Sequence, residues 1–165
     1  MYICTYLQIK NMTFFIYKKN VMVRIMKNII WELKHWEEDG KRHLSISLGM
    51  YVRAYVRMTG KTRWRSDYHG KYAREYIANQ GDLRDCLTLM MKKEKLEPFG
   101  KVPLGCAISV FGPMAHRSDL GNLEKAVEDA ANKSIWFDDR WIYQRGPGKK
   151  EKAKEDLLQL AVWEI

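Results

Sequence analysis

Apolar residues alternate with polar ones over residues 44–57, recur at three- and four-residue intervals over 72–95 and 120–133, and alternate again over 104–113 and 157–165. A period of two belongs to a strand and a period near 3.6 to a helix. In the first strand Val52, Ala54 and Val56 face inward, while Tyr51, Arg53, Tyr55 and Arg57 face outward. The helix over 72–95, continuous or broken near Gly81, carries an apolar stripe of Leu83, Cys86, Leu87, Met90 and Met91 and stops at Glu97, Pro98, Phe99 and Gly100. Next, Leu104, Cys106, Ile108 and Val110 alternate with Gly105, Ala107, Ser109 and Phe111, a strand that runs out at Gly112 and Pro113. The second helix turns Leu123, Val127 and Ala130 towards a core, with Ala126 at the edge of that stripe. Another strand begins at Trp141, Ile142 and Tyr143, and RGPGKKEKAK over 145–154 reads as a flexible basic hairpin loop. The terminal strand sets Leu158, Leu160 and Val162 against Gln159, Ala161 and Trp163, and is expected to pair antiparallel with the strand before that loop. This order of elements predicts an α+β domain with a mixed β-sheet packed against helices.

Residues 1–43 read as an N-terminal extension of open structure, with the domain proper over 44–165. Apolar patches over 2–9 and 12–17 are interrupted by Gln8, Lys10 and Asn11, and no run nears the roughly 20 residues a membrane helix needs. Positive charge does not precede the apolar stretch and no small-residue cleavage site follows it, which argues against a signal peptide. Met22 and Met26 leave open that part of this leader is untranslated. Residues 29–38 fit a helix or a strand, and EEDGKR over 37–42 fits a turn.

At 165 residues the chain is one domain's worth, and 46% hydrophobic with 30% charged residues places it among globular rather than disordered proteins. A formal charge of +9 suits a polyanionic partner. Two stretches sharpen that reading. The outward face of Tyr51, Arg53, Tyr55 and Arg57 can grip phosphates and stack on bases, although the same pattern serves an ordinary solvated face. Lys61, Arg63 and Arg65 lie in a basic loop that is no phosphate-binding P-loop, because Tyr55 stands where the first glycine of GxxxxGK belongs. Cys4, Cys86 and Cys106 form no CxxC pair, so neither a zinc site nor a disulfide framework is implied and reduced cytoplasmic thiols are expected. His35, His43, His69 and His116 show no ligand spacing.

The densest chemistry lies in HRSDLGNLEKAVEDAANKSIWFDDRWI, residues 116–142. Asp119 stands at the N-cap of the second helix, beside the positive end of its dipole. Asn122, Lys125, Asp129 and Lys133 form a polar stripe, and Asp129 is placed to hold Lys125 through an i, i+4 contact. Asp138 and Asp139 follow an apolar run and open the next strand. A helix-loop-strand return that brings them beside Asp119 sets up carboxylate repulsion unless a cation intervenes. Magnesium or manganese suits such oxygen donors. Taken singly, the same residues read as a helix cap, a surface ion pair and a turn.

Taken together, the string resembles the signature of the RusA-type Holliday junction resolvases: an Asp, a second Asp two residues on, an Asn, a Lys, an Asp and finally an Asp pair near a strand. The matching positions here are Asp119, Gly121, Asn122, Lys125, Asp129, Asp138 and Asp139, led by Arg117 and the strand of Ile108, Ser109, Val110 and Phe111. The resemblance is most specific over 103–142 and extends from about 44 to the C-terminus. It implies a RusA-like α+β nuclease domain that forms a homodimer on branched DNA, with one active site for each of two opposed strands of a four-way junction, in a bacterial, phage or prophage cytoplasm. It also implies Mg²⁺, with Mn²⁺ as a substitute, held by Asp119, Asp138 and Asp139. Asp119, Lys125 and Asp139 would be catalytic, with Asn122 and Asp129 in support. Arg53, Arg57, Lys61, Arg63, Arg65 and Arg117 would contact DNA. One position departs from the pattern: Gly121 stands where the family carries its second acidic ligand. The implied activity is therefore either junction cleavage impaired by that loss or branched-DNA binding without cleavage. An unrelated RNA-binding protein is the third reading of the basic charge.

Overall fold

The Asp39-Gly40 pair turns the chain back on itself, with φ of 52° and 73°. Positive φ at both central residues is what a tight two-residue hairpin needs, and Asp-Gly tolerates it well. In the computed structural model, which describes residues 4–7, 29, 31–56 and 67–165, this turn joins β2 (Trp31–Glu38) to β3 (Lys41–Leu48) in register from Trp31↔Leu48 to Glu38↔Lys41. The open choice for 29–38 thus resolves to a strand. The position 43/44 lies within β3, and β1 (Cys4–Leu7) pairs antiparallel with β2.

Alternation of burial continues past β3 through Met50, Val52 and Ala54, as the pattern predicts, but the strand itself stops at Leu48. The reason is where the backbone finds partners. The Arg53 amide donates to Asn79 Oδ1 at 2.8 Å, Asn79 Nδ2 donates to the Tyr51 carbonyl at 2.8 Å, and the Tyr55 amide donates to the Asn122 carbonyl at 2.8 Å. Side chain and helix terminus thus take the place of a ladder. The helix that supplies Asn79, α1 (Tyr68–Lys93), is continuous through Gly81. Asp67 caps it, accepting from the Gly70 amide at 3.1 Å. A Cβ added at Gly81 would meet nothing within 4 Å, so this glycine lies on the open side of the helix. Its cost of about 1 kcal/mol is offset by the buried stripe of Leu83, Leu87, Met90 and Met91.

Among the described residues the strands make one seven-stranded sheet in the order β1-β2-β3-β7-β4-β5, with β6 also on β4. It is mixed, as expected. β4 (Leu104–Gly112) runs antiparallel to β7 (Leu157–Glu164) and parallel to both β5 (Ile142–Arg145) and β6 (Lys149–Lys152). Two expectations are corrected here. The segment 145–154 is no hairpin loop, and β7 pairs with β3 and β4 rather than with β5. Instead of turning away after β5, the chain continues along the same edge of β4. The Gly146 amide donates to the Cys106 carbonyl at 2.7 Å, and a Cβ on Gly148 would stand 2.6 Å from the Ile108 carbonyl and against the Glu124 carboxyl. Only glycine lets the backbone pass that close.

One sheet face forms the core floor: Leu33 of β2, Leu44, Ile46 and Leu48 of β3, Leu158, Leu160 and Val162 of β7, and Leu104, Cys106, Ile108 and Val110 of β4 are all buried. α1 and α2 (Leu120–Ala131) cover it, α2 with Leu123, Val127 and Ala130. Phe99 and Trp136 close one end. The Phe99 amide donates to the Ile135 carbonyl at 2.8 Å, the Phe137 amide to the Phe99 carbonyl at 2.9 Å, and Trp136 Nε1 to Asn132 Oδ1 at 2.9 Å. Cys86 and Cys106 are free thiols, and burial pushes each up to about 11, so neither is a ready nucleophile.

A buried acid straps the sheet edge to α2. Glu128, 3% exposed, accepts from Arg145 Nε at 2.9 Å and Nη2 at 3.0 Å. Removing one partner of such a pair strands a charge away from water. Arg145→Ala is expected to cost about 2 kcal/mol, with the solvent around the half-exposed guanidinium holding the loss below that of a fully buried pair. Thermal denaturation would then show a fall in Tm of roughly 4–8 °C. Arg145→Met with Glu128→Leu should recover most of the loss, since an apolar replacement leaves no orphaned charge.

Candidate active site

β4 delivers the chain through Gly112 and Pro113 to a short 3₁₀ turn, Ala115–Arg117, and then to Asp119 at the N-cap of α2. Asp119 Oδ1 accepts from the Gly121 amide at 3.2 Å. Capping orients this exposed carboxylate at the positive end of the helix dipole. A Cβ at Gly121 would lie 3.9 Å from Asp119 Oδ1 with nothing else within 4 Å. A side chain at 121 would therefore stand beside the Asp119 carboxylate in open space.

One turn further along α2, Lys125 Nζ lies 2.7 Å from Asp129 Oδ1 and 2.8 Å from Asp139 Oδ2. Burial alone would pull this ammonium down, but the hydrogen bonds and charges of Asp129 and Asp139 more than offset it and hold Lys125 above the usual lysine range. The hydrogen bond from Lys125 correspondingly holds the Asp139 carboxyl below its ordinary value, against the upward push of burial. Asp129 is fixed from a second side: Tyr76 of α1 donates its hydroxyl to Asp129 Oδ2 at 3.5 Å, and Arg84 Nη2 donates to the Asp129 carbonyl at 3.0 Å. Burial and the Asp129 charge push the Tyr76 phenol up, so it stays a donor.

The adjacent acids Asp138 and Asp139 part company. A second 3₁₀ turn, Asp139–Trp141, precedes β5, so the pair opens a turn and not the strand itself. Asp138 caps that turn, accepting from the Arg140 amide at 3.2 Å, while Asp139 reaches back to Lys125. The structure thus brings Lys125, Asp129 and Asp139 together and gives Asp119 and Asp138 to the starts of their own turns. Asn122 is exposed and contributes its carbonyl to Tyr55. Arg117 is exposed in the turn before Asp119. Arg53 is half-buried, 2.7 Å from Glu75 and stacked over Tyr72 at 4.7 Å. Arg57, Lys61, Arg63 and Arg65 lie outside the described residues.

Among the described residues, no three His, Cys, Asp or Glu side chains are grouped as a ready metal cage. Magnesium does not require one: it is usually held by one or two carboxylates with water and substrate phosphates completing the shell. Asp119, Asp138 and Asp139 have the right donor chemistry for that mode, with one acid fewer than the resolvase pattern because of Gly121. The neighbouring acids of α2 do not simply replace it. Glu128 is bound to Arg145. Glu124 sits against Gly148 at the sheet edge, and burial together with the charge of Glu128 raises its pKa; the Arg145 charge opposes this and the Asp119 charge adds to it.

The family model for endodeoxyribonuclease RusA matches residues 8–157. A crossover junction endodeoxyribonuclease RusA from Shigella sonnei (strain Ss046) is 30% identical over 100 residues, which is 59% of this chain and 83% of that protein.

The depressed Asp139 carboxyl sets the sign of a pH dependence. A carboxylate held below its unfolded value stabilises the fold above that value, and the contribution disappears as pH falls through the folded one. In chelator-containing buffer, wild-type protein should exceed Lys125→Met by about 1 kcal/mol near neutrality, a figure reduced for solvent screening of these partly exposed groups. Urea midpoints should converge as pH falls below about 4. A gap that does not shrink as the pH is lowered below about 4 would contradict the coupling.

Proposed function

The chain belongs to the RusA family of endodeoxyribonucleases, and from that premise we propose that it resolves four-way DNA junctions by metal-assisted hydrolysis of a phosphodiester, with a catalytic site weakened at Gly121. The observation that carries this reading is the Lys125 ammonium, held by Asp129 and Asp139 on the helix that the carboxylate of Asp119 caps, less than two turns from that cap. In the proposal Asp119, Asp138 and Asp139 hold Mg²⁺, with Mn²⁺ as a substitute. When bound, the ion supplies a water of lowered pKa and polarises the phosphate. Lys125 offers its one remaining N–H donor to the phosphate oxygens as their charge grows. Asp129, steadied by Tyr76, keeps that ammonium aimed, and Asn122 orients the start of the helix. Arg53, Arg57, Lys61, Arg63, Arg65 and Arg117 are assigned to backbone phosphates. The domain proposed to carry the activity is 44–165 together with the β2–β3 hairpin that continues its sheet. A homodimer would bring two such sites to opposed strands, in a bacterial cytoplasm, with the chain of bacterial, phage or prophage origin. No helix among the described residues is long and apolar enough to cross a membrane.

Gly121 supports a second reading, a protein that binds branched DNA without cutting it. The two separate on a synthetic four-way junction. Magnesium-dependent cleavage is expected from the parent, with roughly a tenfold gain in Gly121→Asp, whose carboxylate would join Asp119 in open space. Asp119→Asn should abolish cutting, and Lys125→Ala should slow it by about 10²–10³. Salt-sensitive binding with no cleavage from the parent, but cleavage restored in Gly121→Asp, would favour the second reading. No cleavage from either protein would defeat the nuclease assignment.

A further inference from the structure

β6 is a run of charge, Lys149, Lys150, Glu151 and Lys152, and every one of its residues is exposed. Its pairing decides which of these charges matter. Parallel partners project to the same side of a sheet. Lys150 pairs with Val110 and Lys152 with Gly112, whereas Lys149 pairs with Ser109 and Glu151 with Phe111. Val110 belongs to the buried face that α2 covers, so Lys150 and Lys152 stand on the side of the sheet that carries Asp119. Lys149 and the strand's one acid stand on the other. The contact that follows is direct: Lys150 Nζ donates to the Ser118 carbonyl at 2.5 Å, one residue before the capping acid, and β6 packs against the turn that holds exposed Arg117. An ammonium has three N–H donors, so Lys150 keeps others for a second acceptor. Lys152 follows two residues on, roughly 6.6 Å along the strand.

We propose that the helix-side face of β6, Lys150 and Lys152, continued by Arg117, is a contact surface for DNA backbone phosphates on the flank of Asp119. This rests on the nuclease reading and adds a surface to it: the edge strand grips the duplex arm beside the cut, so that phosphates arrive already registered against the acid's turn. Such contacts position a strand without reading its bases.

The test is the salt dependence of junction binding, measured with magnesium replaced by chelator. Lys150→Gln/Lys152→Gln deletes both charges and keeps a donor for the Ser118 carbonyl, so the Asp119 turn is retained; thermal denaturation checks the fold. Each phosphate contact contributes about 0.9 to the slope of log K against log salt. The pair should therefore lower the slope by about 2 and weaken junctions of different sequence equally. Lys149→Gln, the same charge change on the opposite face, should leave it unmoved. An unchanged slope in the double variant, or an equal loss per residue at Lys149, overturns this surface while leaving the nuclease reading intact. Failure of the parent to bind a junction at low salt overturns both.

Discussion

A single ammonium joins the parts of this molecule that chemistry would need together. Lys125 bridges Asp129, on its own helix, to Asp139, in the turn beyond the Phe99–Trp136 closure. An exposed ion pair is worth little to stability. What this one supplies is placement. Asp129 is held by Tyr76 from α1, and α2 is held by Leu123, Val127 and Ala130 against the sheet, so the helix end of the bridge is fixed. Two helices and a turn are thereby referred to one nitrogen.

The opposite flank of α2 carries a second ion system with a different purpose. There Glu128 is buried and Arg145 comes from the edge strand, so the pair fastens the sheet to the helix and occupies both oxygens of that carboxylate. Asp119 stands at the head of the helix, above both systems. The chemistry of the site is therefore set by which acids are already engaged. Asp129, Asp139 and Glu128 answer cations of the protein itself at 3.0 Å or less, Asp138 accepts from a backbone amide and meets the Arg140 guanidinium at 3.8 Å, and Asp119 accepts from the Gly121 amide at the head of its helix. Gly121 matters for that reason: it removes a charge beside one of the least committed acids.

Close backbone passage decides the edge of the sheet. β5 and β6 run along β4 as two short strands because Gly146 and Gly148 let the chain stay within hydrogen-bonding reach of it. Composition suggested a solvated basic loop there, since GPG and a lysine run are turn and solvent signals. Pairing with β4 overrode them and set the lysines in two opposed rows.

The local signals were sound where their physics is local. The cap at Asp119, the apolar stripe of α2, the alternation in β4 and β7 and the Lys125–Asp129 spacing all depend on neighbours within a turn or two, and a linear pattern records those distances directly. Other features lay beyond it. Nothing in the residues said that β7 would insert between β3 and β4, that Asp139 rather than Asp138 would reach Lys125, or that Asn79 would satisfy the backbone of Arg53 and Tyr51 in place of a neighbouring strand. Those outcomes join residues far apart in the chain, and their register is chosen by the burial of a shared face and by which polar groups find partners, quantities that exist only once the whole chain has packed.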